Sequence, residues 1–144
     1  MSDTATSTVD GGCHCGAVRF NVRLAQGLSN PRRCTCSICR MRGAVAVTAD
    51  LGDLTVTSGE DLLTEYRFNS GVARHYFCSR CGIYTHHQRR SNPQELGVNV
   101  ACLDGVSPFD FPEVPVGDGV NHPSDGAPSR LAGVLRFEAA EGAP

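Results

Sequence analysis

Apolar and polar residues alternate along much of this chain. Val18, Phe20, Val22 and Leu24 are apolar, while Arg19, Asn21 and Arg23 between them are polar. A period of two puts each set on its own face of an extended chain, so the stretch predicts a half-buried strand. Residues 44–48 are small and β-branched, and residues 54–57 read Leu-Thr-Val-Thr after a Gly-Asp turn signal. Each predicts a strand. Residues 63–69 alternate again, with Tyr66 and Phe68 among them. Asn69-Ser70-Gly71 reads as a turn, and residues 72–77 as the return strand of a hairpin. Strands are also predicted at 83–88, 96–103 and 131–137, and one short helix at 37–41. The fold class is mainly β.

Two kinds of segment lack this pattern. Residues 1–10 are polar and rich in Ser and Thr, which predicts a disordered tail, and 139–144 read as a C-terminal tail. One domain is expected between them, over 11–138. Within it, residues 104–129 carry five prolines with several Gly and Asp. Such a long stretch without obvious structure is a functional covering loop or disordered. Phe109, Phe111, Val114 and Val116 favour a loop packed on the body.

Composition narrows the function. The chain has 144 residues, 16 Gly, 8 Pro and no Trp, so its core is modest and benefits from staples. Its 13 basic residues, all arginine, and 15 acidic ones give a net charge of −2. That balance makes no electrostatic case for nucleic acid or anionic membranes. No run approaches the roughly 18 apolar residues of a membrane span, and the N-terminus has no secretory pattern. The expected location is cytoplasmic, where thiols stay reduced and cysteine clusters read as metal sites.

Seven of the eight cysteines fall in three such clusters. Cys13-His14-Cys15 is a CxC pair, residues 34–39 form a CxCxxC triad, and Cys78-Ser79-Arg80-Cys81 is a CxxC knuckle followed by Gly82. Tight turns bring sulfurs at these spacings to one side, and glycine permits the positive φ such turns need. If clusters stay intact, the two pairs sum to four ligands, Cys13, Cys15, Cys78 and Cys81. Four thiolates make a closed, structural zinc site. Cys34, Cys36 and Cys39 then hold a second zinc with three ligands. Either the fourth position is open, as in catalytic zinc, or Cys102 or a histidine closes it.

The chemistry of an open three-thiolate zinc is constrained. Two positive charges and three thiolates leave the centre at −1, a poor activator of water. It suits a fourth sulfur, because a bound thiol loses its proton yet stays nucleophilic.

The remaining candidates are weaker. Cys102 reads as a small buried hydrophobe. His14 reads as a solvent-side spacer and His75 as a cross-strand hairpin residue. His86 and His87 are neighbours on a strand and face opposite ways, so at most one can face a given site. His122 lies on the long loop, where a site role is open. Arg32, Arg33, Arg40 and Arg42 bracket the triad. They either offset its charge and bind carboxylates, Arg40 first among them, or form a solvated surface.

The segments Gly11-Gly12-Cys13-His14-Cys15-Gly16, Cys34-Thr35-Cys36-Ser37-Ile38-Cys39-Arg40, Phe77-Cys78-Ser79-Arg80-Cys81-Gly82 and Val100-Ala101-Cys102-Leu103-Asp104 resemble the glutathione-dependent formaldehyde-activating enzyme family, which includes a centromere-associated protein. The resemblance implies a β-tent, two small sheets leaning together over zinc. It implies structural zinc on Cys13, Cys15, Cys78 and Cys81, and a second zinc on the catalytic Cys34, Cys36 and Cys39. The implied reaction is carbon–sulfur lyase chemistry on S-(hydroxymethyl)glutathione, with glutathione or a similar thiol and an aldehyde as partners. The rival reading is a non-catalytic zinc module that binds a protein partner. A third is an iron–sulfur or redox-sensing protein.

Overall fold

The computed structural model describes residues 8–142. Strands β1 (Thr8–Gly12), β2 (Arg19–Leu24) and β3 (Arg33–Cys34) lead to helix α1 (Ser37–Arg42). Then follow β4 (Ala46–Ser58), β5 (Leu63–Tyr66), β6 (Arg74–Cys78), β7 (Tyr84–Gln88), β8 (Glu95–Asn99), β9 (Glu113–Gly117) and β10 (Leu131–Arg136). Seven strands form one sheet in the order β1-β2-β4-β8-β7-β6-β5, and β10-β9-β3 form a second. The mainly β expectation holds, though the two sheets are unequal in size.

The alternation in β2 explains the core. Phe20, Val22 and Leu24 are buried, and they meet Val47 and Ala49 of β4 and Val98 of β8 in one cluster. Burial of each such side chain contributes about 1.5–3 kcal/mol. Val100, Cys102 and Leu103 extend the cluster, but from a 3₁₀ turn at Val100–Cys102 rather than from the expected strand through 103.

Other boundaries also differ. The two strands expected at 44–48 and 54–57 are one strand, β4. Its register against β2 jumps between Val22↔Leu54 and Leu24↔Ala49. The Gly-Asp turn signal is therefore a bulge, with Gly52 at φ +97°. Residues 8–10 belong to β1, so the expected N-terminal tail includes a strand. Its first seven residues, and 143–144 of the expected C-terminal tail, lie outside the described residues. The 104–129 segment contains β9 and two 3₁₀ turns, Pro108–Asp110 and Pro123–Asp125.

Strand order has a geometric consequence. In a flat sheet, five spacings of about 4.8 Å would hold β1 roughly 24 Å from β6. Yet Cys15, just past β1, and Cys78, ending β6, have sulfurs 3.9 Å apart. The large sheet curls until these two regions meet. Among the described residues, no helix is long and apolar enough to cross a membrane.

Candidate metal centre and cleft

At that seam the sulfurs of Cys13, Cys15, Cys78 and Cys81 all lie within 4.8 Å of one another. Two local turns make this possible. Gly16 (φ +81°) donates to Cys13 O at 3.2 Å, and Gly82 (φ +78°) donates to Cys78 O at 2.7 Å. Backbone N–H groups then aim at sulfur. Val18 N donates to Cys13 Sγ and Arg80 N to Cys78 Sγ, each at 3.3 Å. Hydrogen bonds from the backbone of Cys15 and Ile83 bring the Cys81 thiol down to about 6.

The spacing fits a metal. A tetrahedral centre with metal–sulfur bonds of about 2.3 Å has sulfur–sulfur edges of about 3.8 Å. Cys13 and Cys15 sulfurs are 3.6 Å apart, and Cys15 and Cys78 sulfurs 3.9 Å. All eight cysteines are free thiols.

The triad is built differently. Cys34 ends β3, Cys36 caps α1 with extended backbone (φ −60°, ψ 164°), and Cys39 lies inside α1. Their sulfurs also fall within 4.8 Å of one another. Cys36 N donates to Cys34 Sγ at 3.3 Å. Hydrogen bonds from Cys34 and Cys39 draw the Cys36 thiol down to about 2, while contacts with Cys34 and Cys36 push Cys39 far up. One charge is thus easily formed and further ones are resisted, a donor set that a dication would relieve. Among the described residues, no other Cys, His, Asp or Glu joins this group at that separation, Cys102 and the histidines included.

The long segment holds the triad in place. β9 pairs in parallel with β3 through Arg33↔Val116 and Cys34↔Gly117. Gly119 N donates to Thr35 Oγ1 at 3.0 Å. Asp118 is buried, accepts from the backbone of Val120 and Asn121, and takes Arg130 Nε at 2.7 Å. These donors, with Asn121 foremost, draw its carboxyl down to about 2.

The triad opens into a cleft of about 830 Å³, lined by Tyr84, His87, His122, seven arginines and only two aspartates. Arg42 organises its wall. Nη2 donates to Cys39 Sγ at 3.5 Å, Nη1 lies 3.0 Å from His75 Nδ1, and the guanidinium carbon sits 3.6 Å over the Tyr84 ring. His75 stacks between Phe68 and His87, and Tyr84 Oη lies 2.6 Å from His87 Nδ1. Burial, then Arg42, pushes His75 down to about 4.

The other sequence candidates sort clearly. His86 faces away from His87, stacking on Tyr76 and approaching Phe20. His14 is exposed. His122 lines the cleft while its Nδ1 caps a turn by accepting from Ser124 N. Cys102 is buried in the core, donates to Tyr84 O, and is pushed up to about 12 by burial. Arg40 is exposed, and Arg32, Arg33 and Arg42 are half-buried on the cleft, with Arg32 Nη2 and Arg42 Nε themselves buried. Tyr84, Asp118 and Gly119 were not singled out by sequence reasoning. A glycine on either side of the neighbouring residues, in Gly117-Asp118-Gly119, was the available signal for a close approach.

A curled, mainly β chain with one four-cysteine and one three-cysteine cluster defines a class of small proteins able to hold metal on thiolates. Residues 8–113 match the family described as glutathione-dependent formaldehyde-activating enzyme, and the chain belongs to that family. A Halomonas elongata relative whose name places it in the same family is 35% identical, over 51% of this chain and 51% of the relative. The chain thus spans about half the length of that curated relative. A crystal structure of a Rhodobacter sphaeroides protein is 59% identical with a TM-score of 0.73, covering 74% of this chain and 98% of that one.

Proposed function

We propose that this chain is a zinc-dependent carbon–sulfur lyase acting on a thiol–aldehyde adduct such as S-(hydroxymethyl)glutathione. One zinc would be held by Cys13, Cys15, Cys78 and Cys81 as a structural staple, and a second by Cys34, Cys36 and Cys39. The observation that carries the reading is the triad's position: three thiolates, with no fourth protein ligand within 4.8 Å among the described residues, in the wall of a basic cleft. A binding module with two closed sites has no need of that cleft.

Zinc open at its fourth position would hold an incoming thiol as thiolate. In synthesis the thiolate sulfur forms a bond to the aldehyde carbon, and the carbonyl oxygen takes a proton. In the lyase direction the hydroxyl gives up its proton as the carbon–sulfur bond breaks. Arg42, donating to Cys39 Sγ, offsets the negative charge of the triad. Cleft arginines attract a thiol that carries carboxylates, as glutathione does. A cytoplasmic location is part of the proposal, since eight free thiols suit a reducing compartment.

The test is exchange between free and glutathione-bound formaldehyde, followed by NMR, with zinc counted in each sample. Wild type should accelerate exchange, and Cys36→Ser should lose the acceleration while staying folded. Equal rates with and without a protein carrying both zincs would sink the lyase reading.

A further inference from the structure

β10 is an open edge of the small sheet β10-β9-β3. Five of its six residues are exposed. Among the described residues, twelve large apolar side chains are exposed, and four of them, Leu131, Val134, Leu135 and Phe137, fall within positions 131–137. Phe109, itself 66% exposed, lies against Phe137 with ring centroids 5.1 Å apart. β10 also lies wholly outside residues 8–113, so the family match gives no account of this apolar edge.

The backbone shows which groups are unpaired. Phe137 N donates to Pro112 O at 2.9 Å, and the register continues through Leu135↔Val114 and Gly133↔Val116. In an antiparallel pair, alternate residues turn their N–H and C=O groups to the neighbouring strand. Phe137, Leu135 and Gly133 therefore face β9, while Val134 and Arg136 present their groups at the open edge. Such an edge is a template for another strand. The one charge on β10, Arg136, is already paired with Glu113. A bulge between Leu131 and Gly133 confines regular pairing to the stretch about Val134.

The strand is complementary to itself. Set antiparallel about a two-fold axis at Val134, two copies would exchange N–H···O bonds between their Val134 residues, with Arg136 opposite Ala132. Leu131 of each copy then lies opposite Phe137 of the other, and Leu135 opposite Gly133. A β-carbon at Gly133 would meet nothing within 4 Å, so there is room for Leu135. Beyond the strand, Arg130 comes opposite Glu138. Arg130 gives Nε to Asp118, yet its side chain is 65% exposed. Glu138 has no cation at ion-pair distance among the described residues. Shifting the register by two residues one way sets Arg136 against Arg130, and the other way parts Arg130 from Glu138. Charge thus selects the register centred on Val134.

We infer that β10 is a dimerisation edge, to which a second copy of this chain adds its own β10 antiparallel. Two three-stranded sheets become one of six strands. A two-fold pairing uses the same edge on both copies, so assembly closes at two.

Sedimentation of the metal-loaded chain over a concentration series, with a phosphine reductant to exclude disulfides, tests this. Wild type should pass from one copy to two as concentration rises. Exchange of the Val134 and Arg136 amides should slow about tenfold over the same range. Val134→Lys opposes two ammonium groups at the axis, and Glu138→Arg opposes like charges at both ends. Each should weaken association about five- to tenfold. Both positions are exposed, so the circular dichroism of each variant should match wild type. A wild type that stays a single copy throughout would overturn the inference. So would a dimer that both folded variants leave intact, or one in which the Val134 and Arg136 amides exchange freely.

Discussion

Gly119 lies so close to Cys34 that a β-carbon at 119 would stand 2.2 Å from the Cys34 sulfur and 2.8 Å from Cys36 Cβ. The loop therefore shapes the triad as well as covering it. Gly119→Ala must displace one or the other, at a cost typical of overpacking, about 1–3 kcal/mol. Metal affinity at the triad should fall roughly five- to a hundredfold, with the four-cysteine site unaffected. Competitive chelation, counting each site, checks this. Unchanged affinity at both sites would mean that the loop yields freely.

The seam at Cys13, Val18 and Cys78 has few apolar neighbours beyond Leu62, Leu63 and Cys81. A metal there would supply most of its cohesion, on the order of 10 kcal/mol. Cys78→Ser should lose that metal and much of the cooperative unfolding transition. Cys102→Ala, which removes a core thiol and its bond to Tyr84 O, should cost only about 1–2 kcal/mol and no metal. Thermal melts with metal analysis separate the two. Equal losses in the pair would argue against a metal staple at the seam.

His86 gives a pH signature away from the cysteines. Burial pushes its ring from an ordinary 6.5 down to about 4. The unfolded chain then binds the proton first, so this contribution to stability is complete above about pH 6.5 and lost as pH falls toward 4. Its size is on the order of 3 kcal/mol. Denaturant melts across this window should fall more steeply for wild type than for His86→Phe, which keeps a ring against Tyr76. Parallel pH profiles would show that His86 does not titrate as described.

The Arg42–His75 bond makes a spectroscopic prediction. Nitrogen NMR should find the His75 ring protonated on Nε2 alone in wild type, and a mixture of tautomers in Arg42→Met. A wild-type ring protonated on Nδ1 would refute the assignment.

Much of this was legible in the sequence where local pattern and tertiary environment agree. β2 alternates because one face is buried, and the hairpin of β5 and β6 turns at Asn69 (φ 52°) and Gly71 (φ 72°). The cysteine spacings announced the triad and the two pairs, because turns of that kind are local, whereas the meeting of the two pairs depends on the curl of the large sheet. What was hidden depended on distant partners. The two halves of β4 looked separate because Gly52 signals a turn, yet pairing with β2 and β8 carries the strand through. β9 was masked by Pro115, which lies outside the part of β9 that pairs with β3. β1 was masked by Gly11 and Gly12. A β-carbon at Gly11 would meet Cys102 O at 2.6 Å, and one at Gly12 would meet Val18 O at 2.5 Å. The cleft wall was unreadable, since Arg32, Arg42 and His75 come from separate elements.

The two cysteine groups differ in how far the chain must travel to assemble them. Residues 34–39 supply the triad from one short stretch, whereas Cys15 and Cys78 are 63 positions apart. Closing a loop of that length costs about 4 kcal/mol of chain entropy before any contact repays it. An emerging chain can therefore capture metal at the triad while the seam is still open. The later closure would lock the sheet around a cleft whose metal arrived first, so the order of loading would follow distance along the chain rather than strength of binding.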